Sequence, residues 1–383
     1  MNASILTLNS ISEVSREEWD SLNADENPFI SHAFLLAAER HGASVADLGW
    51  YPRHIVIRGD DGQLLGALPL FVRMHSFGDF SQDWSWASAW EQLGLRYYPK
   101  LVSVSPYTPA SGPRLLTRAG TDRPAMVKAL IAAALEQTEE LKASCWQCLY
   151  LREQDIPAMR EASLLIRQGC QFHWHNRGYR DFDDFMATFS AEKRKKARRE
   201  RRRVAESGLV ITVRHGDKVD PPLWDSIHRH YLGTFARYGN HPAFTRDFFA
   251  EIGQTLQKRL VLFVAHDAGR HVATAICYRD RNTLYGRHWG AEADYHSLHF
   301  ELCFYQCIDY CIRHDLQRFE PGAQGEHKLS RGFEPADTWS AFWIADQRMR
   351  RPVADFLARE SRAVSAYQDE MAEHTPFKLA FKR

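Results

Sequence analysis

The spacing of apolar positions changes several times along the chain, and each change marks a predicted element. Short apolar or alternating runs bounded by glycine, proline or aspartate predict strands. Apolar residues three or four positions apart predict amphipathic helices. In the first half the predicted strands are 4–9, 54–58, 64–74, 101–104 and 146–151, and the predicted helices are 15–22, 31–41 and 124–142.

The second half repeats this order of elements. Its predicted strands are 209–213, 260–266, 271–279 and 283–289, and its predicted helices are 223–238, 244–257 and 298–314. Residues 318–320 lead from the last helix into the glycine-rich stretch that follows. Strands mixed with helices in this repeated order predict two similar α/β (α+β) domains. We expect a first domain at 1–189, a linker helix at 190–207, and a second domain at 208–383 that ends in a helical tail. Residues 75–100 are aromatic and predicted to be irregular.

The predicted linker helix is strongly basic. Residues 193–203 carry nine cations and one glutamate, whereas the net charge of the whole chain is +1. Only Ala197, Val204 and Ala205 form a thin apolar stripe, so most of the helix must face water or a polyanion. Because so many like charges repel one another, we favour an anionic partner. The cations of this surface are Lys193, Arg194, Lys195, Lys196, Arg198, Arg199, Arg201, Arg202 and Arg203.

Residues 321–335 are the most informative stretch for chemistry. Three glycines, at 322, 325 and 332, are interspersed with ionic side chains. Glycine lets the backbone turn sharply or approach a ligand closely. Glu326 or His327 is a candidate base, and Lys328 and Arg331 are candidate anion-binding cations. The alternative is a polar surface loop.

The predicted helix 298–314 has a carboxylate on its apolar side. At 100° per residue, Glu301 falls beside Phe304 and Ile308, whereas Gln306 falls on the opposite, polar face. Such a carboxylate is either buried with a partner, for which Arg287 is the candidate, or held at the positive end of the helix. Burial with a partner would be structural, whereas burial near a substrate amine would make Glu301 a base. We favour the structural interpretation.

The seven cysteines predict neither a disulfide framework nor a metal site. Cys145 and Cys148 form a lone CxxC with no second pair. Residues 303, 307 and 311 place three cysteines on one helix face among apolar neighbours, where thiols pack as small hydrophobes. No secretory signal and no apolar run of about 20 residues is present, so the expected location is the cytoplasm and no membrane span is predicted.

Several stretches together resemble predicted bacterial N-acyltransferases related to the Fem-type peptidoglycan transferases. The matching stretches are 27–29, 64–70, 97–100, 108–114, 286–290, 298–301 and 322–335. This resemblance implies a tandem pair of acyl-CoA N-acyltransferase (GNAT-like) domains, each a mixed, mostly antiparallel sheet flanked by helices.

The resemblance also implies a reaction class. Fem-type proteins transfer an amino acid from aminoacyl-tRNA to an amine on a peptidoglycan precursor, whereas ordinary GNAT members use acyl-CoA. The glycine-rich pyrophosphate loop of acyl-CoA users is not cleanly present in either half, so the expected donor is acyl-CoA or aminoacyl-tRNA. The basic helix is the candidate tRNA surface. The expected acceptor is a small molecule or a peptidoglycan-precursor amine.

We therefore predict an N-acyltransferase with its site in the second domain. Amide formation needs a neutral amine, a polarised carbonyl and close positioning. Glu326 or His327 is the predicted catalytic base, and amides near Gly322–Gly325 are the predicted oxyanion donors. The predicted substrate-binding residues are Arg287, His288, Trp289, Gln324, Lys328 and Arg331. The alternatives are a nucleic-acid-binding module and a non-catalytic peptidoglycan-recognition protein.

Overall fold

The computed structural model describes residues 3–323 and 325–378 and divides into two compact units. The first unit holds the residues up to 169 together with 337–365, and the second holds 170–336 together with the residues from 366 onward. The predicted boundary near 190 is therefore corrected. Phe185 and Phe189 pack in one core with Ala197, Val204 and Phe319, so the basic helix belongs to the second unit and is not a linker.

The first unit opens with eight strands and five helices in chain order. The strands are β1 (Ala3–Leu8), β2 (Trp50–Pro52), β3 (His54–Gly59), β4 (Leu64–Leu68), β5 (Phe71–Arg73), β6 (Lys100–Ser103), β7 (Leu116–Thr117) and β8 (Cys145–Leu151). The helices are α1 (Arg16–Asp20), α2 (His32–Arg40), α3 (Trp84–Gln92), α4 (Arg123–Glu140) and α5 (Ile156–Glu161).

The remaining elements run to the end of the described chain. The strands are β9 (Leu165–His175), β10 (Val210–His215), β11 (Leu260–Asp267), β12 (Arg270–Arg279), β13 (Thr283–Ala291), β14 (Arg318–Glu320) and β15 (Glu334–Ile344). The helices are α6 (Phe182–Ala187), α7 (Ala191–Glu206), α8 (Pro221–Arg237), α9 (Arg246–Leu256), α10 (Leu298–Phe300), α11 (Gln306–Arg313) and α12 (Gln347–Glu373). A π-helical segment, Glu301–Tyr305, joins α10 to α11, and Glu326–Arg331 forms a 3-10 helix.

In the first unit, β1, β3, β4 and β7 form an antiparallel sheet in the order β1-β3-β4-β7. A second set runs β15-β8-β6-β5-β2, with β6 and β8 parallel. In the second unit the order is β10-β11-β12-β13-β14-β9, antiparallel except for the parallel pair β13 and β14. The predicted mixed, mostly antiparallel α/β architecture is confirmed.

Most predicted elements are found within a few residues of their expected ends. The turns at residues 60–62 and 267–269 join β3 to β4 and β11 to β12, and Gly62 and Gly269 have φ values of +78° and +81°. Two predictions were wrong. The single strand at 64–74 is two strands separated at Pro69, and residues 75–100 contain α3, on which Trp86 and Trp90 are buried.

None of the helices in the described part of the chain is long and apolar enough to cross a bilayer.

Candidate functional site

The candidate site is a cavity in the second unit where two parallel strands stop pairing. β13 and β14 pair from Thr283 with Arg318 up to Tyr285 with Glu320. Beyond this point, residues 286–289 and 321–323 line a cavity of about 220 Å³. The helical segment 299–304 and the 3-10 helix complete its wall. We call this cavity the β13–β14 cleft.

A β-bulge places Arg287 in the cleft wall. On the neighbouring strand β12, Ile276 pairs with His288 and Cys277 pairs with Gly286, which leaves Arg287 as the extra residue. A bulge re-aims a side chain and increases the local twist. Arg287 lines the cleft, as its predicted substrate-binding role requires.

Lys328 is the best-defined polar group in the cleft. Its side chain is buried, with 3% of the residue exposed, and its Nζ donates a hydrogen bond to the carbonyl oxygen of Gly322 at 2.6 Å. Gly322 has a φ of +100°, a conformation that favours glycine. The glycine therefore positions the carbonyl oxygen that binds this ammonium group.

Burial makes Lys328 an unusual lysine. It lowers the pKa of the side chain to about 8, and the nearby Arg287 guanidinium acts in the same direction. Among the described residues no carboxylate contacts Lys328, and none of the described cleft-lining residues is acidic. A buried ammonium group without a counterion is costly, so a developing negative charge in the cleft would be strongly stabilised.

Two histidines face the cleft in the neutral state. His327 is exposed on one side, and partial burial together with Lys328 and Arg331 lowers its pKa. His299 lies 6.3 Å from His327 between ring centroids, and burial lowers its pKa to about 4. A neutral imidazole can accept a proton near pH 7. His327 therefore lines the cleft as a group that can accept a proton.

His288 and Trp289 lie on the strand wall of the cleft. Burial lowers the pKa of His288 to about 3, and its ring contacts Tyr231 and Phe244 at centroid distances of 5.1 and 5.8 Å. The Trp289 ring meets His299 edge-on at 5.3 Å. Both residues line the cleft, and the packing of His288 among aromatic rings indicates a structural contribution.

The other predicted site residues are placed differently. Glu326 is exposed, accepts a hydrogen bond from the Tyr367 hydroxyl at 3.0 Å and does not line the cleft. Arg331 is buried outside the cleft lining and lies over the Phe300 ring at 3.5 Å. Gln324 lies outside the described residues. Of the predicted residues, the cleft therefore brings together Arg287, His288, Trp289, His327 and Lys328.

The basic helix α7 contacts the segment that borders the candidate site through Glu200. Glu200 is buried and accepts two hydrogen bonds of 3.0 Å from Nη2 of Arg331, and a third of 2.6 Å from the Tyr305 hydroxyl. Arg331 ends the 3-10 helix that carries His327 and Lys328. The packing of α7 therefore helps to hold this segment in place.

The partner of Glu301 is Arg201 and not Arg287, which corrects the sequence prediction. Arg201 donates through Nε and Nη2 at 3.1–3.3 Å, and Gln306 Nε2 donates to Glu301 Oε1 at 2.8 Å. Gln306 was expected on the opposite helix face. The π-helical turn inserts one extra residue, which rotates Gln306 onto the face of Glu301. The structural interpretation of Glu301 fits this pairing.

Helix α7 presents many cations that are not neutralised. It buries Ala197 and Val204 as predicted, whereas Ala205 is exposed. Within residues 3–323 and 325–378, six of its cations contact no carboxylate: Lys193, Arg194, Lys195, Lys196, Arg199 and Arg203, the last of which contacts His296. Unpaired cations on one helix form a surface that favours a polyanion.

Sequence reasoning missed the helical contributors to the cleft. His299, Cys303 and Phe304 line it from the helical segment that follows β13. His299 had a usable signal, since it lies in one of the stretches that carries the family resemblance. No sequence signal indicated that Cys303 lines the cleft, because its spacing with two other cysteines indicates packing alone. No group of three or more His, Cys, Asp or Glu residues in the described chain is arranged to hold a metal ion.

The sequence profile of the FemAB-like family, described as peptidoglycan biosynthesis/recognition, matches residues 10–379. The chain belongs to the FemAB-like family. This match covers both units and the whole candidate site. No curated protein sequence matches the chain significantly.

Two solved structures share the fold of this FemAB-like protein at low sequence identity, and a third is more loosely similar. FemX is 11% identical with a TM-score of 0.57, covering 92% of this chain and 100% of FemX. The C-terminal domain of a protein from Agrobacterium fabrum named as a lysylphosphatidylglycerol synthetase is 11% identical with a TM-score of 0.53, covering 91% and 96%. A tandem GNAT protein from the clavulanic acid pathway is 13% identical with a TM-score of 0.46, covering 90% and 99%.

Proposed function

We propose that this FemAB-like protein is an N-acyltransferase that joins an acyl or aminoacyl group to an amine in the β13–β14 cleft. The acceptor that the family description favours is an amine of a peptidoglycan precursor. The observation that carries the proposal is Lys328, a buried ammonium group with no described carboxylate partner at the wall of the cleft.

The chemistry of amide formation fits this arrangement. The acceptor nitrogen attacks the donor carbonyl carbon, and negative charge develops on the carbonyl oxygen. Lys328 stabilises that oxyanion, as would backbone amides near Gly322–Gly325. His327 accepts the proton that the attacking nitrogen loses, because its lowered pKa keeps it neutral near pH 7. The bond from the carbonyl carbon to the leaving oxygen or sulfur then breaks.

His327 is preferred to Glu326 as the base. His327 lines the cleft, whereas Glu326 is exposed and bonded to Tyr367. Arg287, which lines the same cleft, binds an anionic group of the donor or the acceptor.

The donor is proposed to be aminoacyl-tRNA or acyl-CoA. The six cations of α7 without a described carboxylate partner support the RNA-linked donor. Phosphate contacts from such a helix give sequence-independent affinity that falls with salt.

The proposal is tested by incubating the protein with acetyl-CoA or charged total tRNA and a peptidoglycan stem peptide that carries a free amine. Mass spectrometry detects the amide product. We expect product from wild-type protein, its loss in Lys328→Met and a strong decrease in His327→Ala, with Glu326→Gln close to wild type. Circular dichroism checks that each variant is folded. Acceptor binding without product from either donor would contradict the proposed transferase.

The second candidate is a nucleic-acid-binding protein without catalysis, which the unpaired cations of α7 favour. Its signature is a steep dependence of tRNA affinity on salt, lost when Lys195, Lys196 and Arg199 are changed to alanine. Binding of this kind with no product in the transfer assay would favour it over the enzyme.

A further inference from the structure

A second cavity lies on the other side of the helical segment that borders the β13–β14 cleft. It has a volume of about 450 Å³ and lies between α6, α7, the start of β10 and the helical segment 301–306. We call it the α6–α7 cleft. Its lining shares no residue with that of the β13–β14 cleft. Its size falls within the range of small-molecule sites.

The walls of the α6–α7 cleft are apolar. Phe182 and Met186 contribute from α6, Ala205 from α7, and Leu209 and Ile211 from the chain that enters β10. Phe182, Leu209 and Ile211 are only half-buried, so apolar surface is open to a ligand. The Arg201 guanidinium carbon lies 4.2 Å from the centroid of the Phe182 ring, so the surface left for the ring of a ligand is formed mainly by the aliphatic side chains of Leu209 and Ile211.

The floor of this cleft is polar and held rigidly. Arg201 binds Glu301, which is 4% exposed, and Gln306 binds the same carboxylate. No described residue donates a hydrogen bond to the amide oxygen of Gln306. Nη1 of Arg201 donates no hydrogen bond to a described residue. The floor therefore offers one open acceptor and one open donor. A purely hydrocarbon ligand would leave both unsatisfied.

The rim of the cleft is cationic. Arg198 and Arg202 line it and are exposed, and their carboxylate contacts are solvent-accessible pairs, with Asp183 at 3.2 Å and Glu206 at 3.9 Å. Exposed pairs of this kind are weak and exchange readily for a better anion. Arginine binds phosphate oxygens through two parallel N–H groups.

We propose that the α6–α7 cleft binds a nucleotide. The base lies between the apolar walls and exchanges a donor and an acceptor hydrogen bond with Arg201 and Gln306, and the phosphate binds Arg198 and Arg202. The same chemistry is presented by a free mononucleotide and by the terminal nucleotide of an RNA. The π-helical turn at Glu301–Tyr305 supports a binding role, because such turns are frequent at functional sites and here bring Gln306 to the floor.

Isothermal titration calorimetry with 5′-AMP, 5′-UMP, adenosine and inorganic phosphate tests the proposal on the full chain. A short single-stranded RNA provides the second arm. We expect a mononucleotide or the RNA to bind, with adenosine and phosphate at least roughly tenfold weaker than the mononucleotide that binds. Saturable mononucleotide binding identifies a free nucleotide as the ligand, and binding of the RNA alone identifies an RNA terminus.

Matched variants separate the cleft from the general charge of α7. Ala205→Trp fills the cleft, and Ala191→Trp is the control on an exposed position of the same helix outside it. Arg198→Ala with Arg202→Ala removes two cleft cations, and Lys196→Ala with Arg199→Ala removes two that do not line it. We expect roughly tenfold weaker binding in the cleft variants and little change in the controls. No binding of any nucleotide or RNA, or equal loss in both charge pairs, would overturn the proposal.

Discussion

At the scale of single residues, two buried lysines show how neighbours decide the role of one side chain. Lys100, in the first unit, is fully buried and lies 2.9 Å from Asp79 and 2.6 Å from Asp83. Burial alone would lower its pKa, but the two carboxylates outweigh that effect and raise it. Among the described residues, Lys328 hydrogen-bonds to a carbonyl oxygen and to no carboxylate, and burial lowers its pKa. Lys100 therefore belongs to a structural ion pair, whereas Lys328 is the cation that the proposed reaction uses.

The first prediction concerns the pH dependence of transfer. Because the pKa of Lys328 is about 8, the rate should fall as pH rises above that value and the ammonium group loses its proton. Lys328→Arg keeps a positive charge at all accessible pH values, so the alkaline decrease should disappear even where the absolute rate is reduced. The measurement is kcat/KM between about pH 6 and about pH 10, a range that extends to both sides of the Lys328 pKa.

The matched control is Lys218→Arg, a lysine with 72% of its side chain exposed in the same unit. It should keep the alkaline limb of the wild type. An unchanged alkaline limb in Lys328→Arg would show that another group titrates there.

The second prediction concerns stability at Lys100. Lys100→Met leaves Asp79 and Asp83 buried without their cation, and we expect the free energy of unfolding to fall by about 3–5 kcal/mol. Urea unfolding of the full chain measures it. Lys128→Met, an exposed position on α4, should change the free energy by less than about 0.5 kcal/mol. A loss at Lys100 as small as that of the control would mean that the network contributes little.

At the scale of elements, α7 has two different faces. One face carries Ala197, Glu200 and Val204 into the core of the second unit, and the other presents cations to solvent. Glu200 connects the buried face to the candidate site, because it holds Arg331 at the end of the segment that carries Lys328.

The third prediction follows from this connection. Glu200→Gln removes the counterion of the buried Arg331 guanidinium, so we expect the free energy of unfolding to fall by about 2 kcal/mol. Because the 3-10 helix loses an anchor, kcat should fall by a larger factor than KM rises. The pH at which the rate falls on the alkaline side, which we assign to Lys328, should also shift. Steady-state kinetics with a pH profile measures this. Glu206→Gln on the same helix, 3.9 Å from Arg202 and exposed, is the control and should leave both unchanged.

At the scale of the whole molecule, the two units should respond differently to acid. Burial lowers the pKa of several histidines of the second unit, among them His271 and His299, to about 4, and His288, to about 3. Such histidines stay neutral in the folded state while the unfolded chain takes up protons below about pH 6.5. Their stabilising effect is complete above that pH and is lost as pH falls from about 6.5 towards 4.

The first unit contains a buried group whose contribution to stability is retained in this pH range. Lys100 and its hydrogen bonds lower the pKa of Asp83 despite the opposing effect of burial, so the contribution of Asp83 to stability persists until pH falls below the ordinary aspartate range.

The fourth prediction is therefore that the second unit loses stability first on acidification. Amide hydrogen exchange at pH 7.5 and about 5, corrected for intrinsic rates, should show a greater loss of protection in β11–β13 than in β3–β4. Equal losses in both units would contradict it.

Much of this architecture could be predicted from the order of the residues. The hairpins, α4 and β13 follow from local periodicity and turn residues, whereas the three-residue strand β14 was not predicted. The segment around Lys328 was recognisable from its glycines and ionic side chains. The roles of its neighbours were not, because Glu326 and Arg331 lie only one turn from His327 and Lys328 yet point to different surroundings.

By itself, the sequence determined the elements, their repeated order and the polar character of residues 321–335, because short-range periodicity and glycine conformations are local properties. Tertiary structure alone decided which cation pairs with Glu301, where the units divide and which side chains line a cavity. The π-helical turn rotates Gln306 onto the face of Glu301, and the bulge turns Arg287 into the cleft wall. Both depend on contacts between residues far apart in the chain, and no local pattern encodes such contacts.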